Sequence, residues 1–215
     1  SRYEDIDGAC VVDFLLRDKS NPSSVISLIE KARNNARLVR TALTREVWEA
    51  TNECWMILKV KLARPIRERD LPEVLGIIRR HSALVRGALH GTMLRNDIYD
   101  FARIGTFLER ADNTARILDV KYYVLLPSVM HIGSKLDNIQ WETILRSVSA
   151  QRAFRWLNMG EFSARSIVEF LILDRRMPRS LGFCTKKLSD NLNFLAEDYG
   201  IEHECQHIAQ DMIED

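Results

Sequence analysis

From Phe101 to Asp119 the chain runs FARIGTFLERADNTARILD, with no proline and one glycine, and its apolar residues recur at helical spacing. At 3.6 residues per turn, Ile104, Phe107, Leu108, Ala111, Ala115, Leu118 and Tyr122 form one apolar arc. A second line, roughly 80–100° round from the centre of that arc, holds Gly105, Glu109, Asp112, Arg116, Asp119 and Tyr123. Arg103, Arg110, Thr114 and Lys121 fall on the opposite side, expected to face solvent. The second line sets three carboxylates against Arg116, and Gly105 leaves room for another backbone. Asp112–Arg116 and Arg116–Asp119 can pair along the helix, which leaves negative charge in excess. The expectation is a polar network of Glu109, Arg110, Asp112, Asn113, Arg116 and Asp119, covered by a sibling helix. A cation from elsewhere must then answer it, because an uncompensated buried carboxylate is costly. The competing reading is a solvated flank of salt bridges.

Helical spacing extends along the whole chain. The 215 residues include 9 glycines and 5 prolines, and no stretch alternates apolar and polar residues between hairpin turns. The pattern predicts a first helix closing at Leu16, and a second capped by Asn21 with Pro22 at its first position and reaching Leu43. A third is capped by Thr44 and ends near Pro65, and a fourth opens at a capping box, Asp70–Glu73, and runs to His90–Gly91. The central helix is expected from Asn96 to Leu126, stopped by Pro127. Another starts near Asp137, and further helices span about residues 151–159, 163–173, 178–198 and 202–213. The chain therefore reads as all-α, a multi-helix bundle over residues 1–215 as a single domain. Trp48, Trp55, Trp141 and Trp156 are expected to anchor its core.

An internal repeat appears at an offset of 156 residues. VVDFLLRDKSNPSSV (11–25) aligns with IVEFLILDRRMPRSL (167–181), identical at six of fifteen positions and conservatively changed at five. In each, an apolar helix end is followed by Asp, a short basic turn and a proline. Two degenerate repeats, about 1–95 and 96–215, follow. The counterpart of the Glu109 helix would then fall before Ser1, so a truncated first copy is expected.

The segment LERADNTARILDV (108–120), preceded by FARIG, resembles the signature of a bacterial family called Alpha-E, an all-helical domain named for a Glu–Arg motif, here Glu109–Arg110. The resemblance extends to FLILDRRMPRSLGFC (170–184), FLLRDKSNPSSV (14–25) and TREVWEATN (44–52), and so covers nearly the whole chain. Such proteins usually carry a Glu–Arg helix near their start as well, and this chain has none there. The resemblance implies a place beside ATP-grasp-like ligases and transglutaminase-like proteins, in the making, modifying or trimming of amide bonds. No activity is assigned to the family.

The tail holds His203-Glu204-Cys205-Gln206-His207, a match to HExxH. On a helix that spacing sets two imidazoles on one side for zinc, with a glutamate as general base. A zincin takes its third ligand downstream, where few residues remain, and the upstream His81, His90 and His131 show no ligand spacing. A polar terminal helix is the expected reading, with no metal and no cofactor. No phosphate-binding glycine loop and no nucleophile signature occurs. Glu109 and Asp112 suit acid–base work only if burial separates their pKa values.

A net charge of +1 gives no reason to expect nucleic acid or an anionic membrane as partner. Cys10, Cys54, Cys184 and Cys205 lie far apart, which fits reduced thiols and a cytoplasmic setting. The first expectation is a non-catalytic scaffold or adaptor working with an ATP-grasp-type ligase. The alternative is a helical transferase or hydrolase of amide bonds using the acidic line.

Overall fold

The computed structural model describes residues 7–123, 134–158 and 162–214. Among them are ten α-helices and no strand. They are α1 (Gly8–Leu16), α2 (Val25–Leu38), α3 (Arg45–Lys61), α4 (Leu71–Thr92), α5 (Asp97–Tyr123), α6 (Lys135–Ser147), α7 (Gln151–Leu157), α8 (Ala164–Leu173), α9 (Leu181–Tyr199) and α10 (Glu204–Glu214). Leu126, Pro127 and His131 lie outside the described residues. The chain divides into two compact units, Ser1–Leu94 and Arg95–Asp215.

In the first unit α3 packs against both α2 and α4. Its core gathers Leu16, Ile26, Cys54, Leu58, Leu62, Val74 and Ile77. Several helix starts differ in detail from the expected ones. Asn21 does not cap α2. Its amide donates to the Phe14 carbonyl (3.0 Å) and its side-chain oxygen accepts from Ser23 N–H, so the chain turns once more before Ser24 caps the helix. Thr44 and Asp70 stand at N-cap positions without a side-chain capping bond, and no capping box forms at Asp70–Glu73. The Thr44 hydroxyl instead meets that of Thr92 at 2.6 Å.

In the second unit the long α5 lies along α9, which also packs on α10 and α8. The core joins Leu118 of α5 to Trp141, Leu145, Val148, Phe154, Ile167 and Leu171. A Cβ at Gly182 would stand 3.1 Å from the Leu173 carbonyl oxygen, so only glycine lets α9 begin this close to the end of α8. Gly200 closes α9 with φ +66°, in the left-handed region that glycine enters at no steric cost. Trp141 is fully buried, whereas Trp156 is exposed and anchors nothing. Trp55 is half-buried beneath Arg33, and Trp48 is half-buried beside Arg40.

The two aligned turns share a hydrogen-bond register. Asp18 accepts from Ser20 N–H and Asp174 from Arg176 N–H; Ser24 caps α2 and Ser180 caps α9. Both serines are fully buried.

Candidate functional site

Helix α5 is turned differently from the sequence expectation. Its buried residues are Tyr99, Asp100, Phe107, Thr114, Leu118 and Lys121. Thr114 and Lys121, expected in solvent, have no exposed surface, while Leu108 and Tyr122 of the expected apolar arc are 58% and 49% exposed. The reason is the surface opposite. Four of the five buried residues of α9 are small or polar, Cys184, Thr185, Ser189 and Asn191, with Leu195 the apolar one. A helix packed there does not need a wholly apolar stripe. The Thr114 hydroxyl donates to the Arg179 carbonyl (2.8 Å), just before α9, and the Phe107 ring meets that of Phe183 edge-on at 6.0 Å.

The residues of the expected network therefore separate. Glu109, Asp112, Asn113, Arg116 and Asp119 are all exposed. Arg116 Nε donates to Asp112 (2.7 Å), and that bond, reinforced by the charges of Asp112, Glu109 and Asp119, raises the guanidinium pKa. Asn113 donates to Glu109 (2.8 Å). The expectation that a sibling helix covers this line is corrected: nothing stands within 4 Å of where a Cβ on Gly105 would be. Arg110 alone of the set is half-buried, its guanidinium 5.7 Å from the centre of the Phe107 ring. Its charge, with that of Arg179, opposes the burial that pushes the Cys184 thiol pKa up. Adjacent in sequence, Glu109 and Arg110 thus serve different environments.

The polar group that α5 does bury is Lys121. Its ammonium donates to Asp137 (2.5 Å) and to Gln140 (2.8 Å), both on α6. It also stands 5.2 Å from the centre of the Trp141 ring. The Trp141 indole N–H is buried with no hydrogen-bond partner among the described residues. No periodic pattern marks this cluster in the sequence; the one visible signal is that Lys121 falls in register with Phe107, Thr114 and Leu118.

Toward the start of α5, a cleft of about 500 Å³ opens between α5 and α9. Tyr99, Asp100 and Arg103 line it from α5, and Lys187, Phe194 and Asp198 from α9. Arg95 and Arg103 lie 4.1 and 5.9 Å from the centre of the Tyr99 ring. Asp100 is 5% exposed, and burial, followed by the charges of Asp198 and Asp97, raises its carboxyl pKa against the weaker pull of Arg95. Sequence reasoning missed this residue, because nothing local distinguishes it from other first-turn acids.

At the tail, α10 starts at Glu204, so His203 precedes the helix that carries His207. The Gln206 side chain accepts from His203 N–H (2.8 Å), which directs this segment to capping the helix. His203, Glu204 and His207 are exposed. Among the described residues no three His, Cys, Asp or Glu side chains converge as metal ligands, all four cysteines are free, and no helix is long and apolar enough to cross a membrane.

The sequence model of the Alpha-E family, described as a predicted alpha-helical domain with a conserved ER motif, matches residues 1–215. No curated protein and no solved structure matches the chain.

Proposed function

Because the chain belongs to the Alpha-E family, we propose that it is a cytoplasmic, non-catalytic helical scaffold or adaptor, and that the outer face of α5 receives a partner protein. The resemblance to Alpha-E implies which partner: an ATP-grasp-type ligase or a transglutaminase-like protein of peptide or amide-bond metabolism. The supporting observation is the composition of the exposed face. Phe101, Leu108 and Tyr122, with Ala115 between the last two, lie on one seven-residue repeat, and the three large side chains are 58%, 58% and 49% exposed. Glu109, Asp112 and Asp119 run beside them, with Arg116 paired to Asp112. An apolar heptad line with an acidic margin fits an amphipathic partner helix with a basic margin. Covering each of these half-exposed apolar side chains contributes about 1 kcal/mol, part of the full-burial value, and the charges set orientation and association rate more than affinity.

An enzymatic use of the same carboxylates, in transfer or hydrolysis of amide bonds, requires at least one taken out of water to split their pKa values. Here Glu109, Asp112 and Asp119 are exposed. The test is co-purification of the protein with the ligase at micromolar concentration, for the wild type and for the triple variant Glu109→Lys, Asp112→Lys, Asp119→Lys. Loss of the complex in a variant that keeps its helical circular dichroism supports the adaptor role. No complex with the wild type, or a complex indifferent to the substitutions, contradicts it.

A further inference from the structure

Asp100 is a buried carboxylate with no hydrogen bond to its oxygens and no ion pair among the described residues, and it lines an open cleft. Its oxygens open onto the cleft, so water or a ligand from outside the chain must serve them. We propose that the cleft between α5 and α9 binds the primary ammonium group of a small organic ligand, with Asp100 as its counter-ion and the exposed Phe194 ring against its carbon skeleton. This does not depend on the adaptor reading, which concerns the outer face of α5.

The charges around the cleft favour a cation. On the α9 side Lys187 is already engaged by Asp190 (3.2 Å), and the exposed Glu197 and Asp198 add negative charge. On the other side Asp97 accepts the Tyr199 hydroxyl (2.6 Å), while Arg95 and Arg103 hold their guanidinium groups by the Tyr99 ring. A bare metal ion is the poorer fit, because no three carboxylates converge on one point among the described residues. An ammonium needs less: one strong acceptor, neighbouring negative potential and an aromatic face. A volume of about 500 Å³ suits a ligand of small-molecule size. The raised pKa of Asp100 supports the same reading, since a cation beside it restores the ionised form. Binding therefore weakens as pH falls and Asp100 takes up a proton.

The test is titration of the intact protein with pentylammonium chloride at pH 7, followed by NMR chemical shifts, with 1-pentanol and magnesium chloride as controls. The expected result is saturable binding of pentylammonium that shifts the resonances of Tyr99, Phe194 and their neighbours. Asp100→Asn should weaken it at least tenfold, while leaving the fold intact because it removes a buried charge without changing shape. Pentanol should bind at least tenfold more weakly, and the affinity for pentylammonium should fall between pH 7 and pH 5. Equal binding by Asp100→Asn, equal binding of pentanol, tighter binding of magnesium, or shifts mapping elsewhere would each overturn the assignment.

Discussion

Arg116 and Lys121 lie little more than one turn apart on the same helix, and each ion-pairs with an aspartate, Arg116 with Asp112 at 2.7 Å and Lys121 with Asp137 at 2.5 Å. The first pair joins neighbouring turns of α5, with side chains 75% and 50% exposed. The second crosses from α5 to α6, with side chains 0% and 4% exposed. In water the Coulomb attraction of an exposed pair is offset by hydration and by the ordering of two long side chains. Inside the protein the same attraction is stronger, but removing either partner strands the other without hydration. An ion pair's value is therefore set by what surrounds it and not by its distance. By that measure α5 is fastened to α6 through Lys121, while its acidic line faces solvent.

Several substitutions would break or sharpen this contrast. Lys121→Met leaves Asp137 buried without its cation and should cost about 3–5 kcal/mol in urea unfolding. Thr114→Val keeps the volume of the side chain but leaves the Arg179 carbonyl without its donor, for about 1–2 kcal/mol. Asp100→Asn should change the pH profile of stability. Its folded pKa is raised, so its contribution is fully present below the unfolded value near 3.8 and is lost as pH rises through the folded value. The wild type should lose stability relative to Asp100→Asn on going from pH 4 to neutral, by no more than about 1.4 kcal/mol per pH unit. Asp174, held low by Arg176, works in the opposite sense, losing its contribution as pH falls, and is common to both proteins. Glu109→Gln should leave the unfolding midpoint unchanged; a large loss would return the acidic line to the interior.

Much of the fold was legible because helices announce themselves locally. The starts of α8 at Ala164 and α10 at Glu204 lie within two residues of the positions that spacing predicts. The helix starts one bend later than Asn21, at Ser24, since a side chain that hydrogen-bonds back to Phe14 looks in sequence like a cap. The rotation of α5 was not legible. Helical spacing puts Leu108 and Tyr122 inside and Thr114 and Lys121 outside, yet α9 presents mostly small and polar residues, and α6 presents Asp137. Asp100 stayed hidden for the same reason: its neighbour Asp198 lies 98 positions away.

The most direct measurement is a pair of double-mutant cycles by urea denaturation, one on Lys121 and Asp137, the other on Arg116 and Asp112. A coupling of several kcal/mol in the first cycle and none measurable in the second is the predicted result. Equal couplings, or a larger one between Arg116 and Asp112, would contradict the assignment of the buried and outward faces of α5.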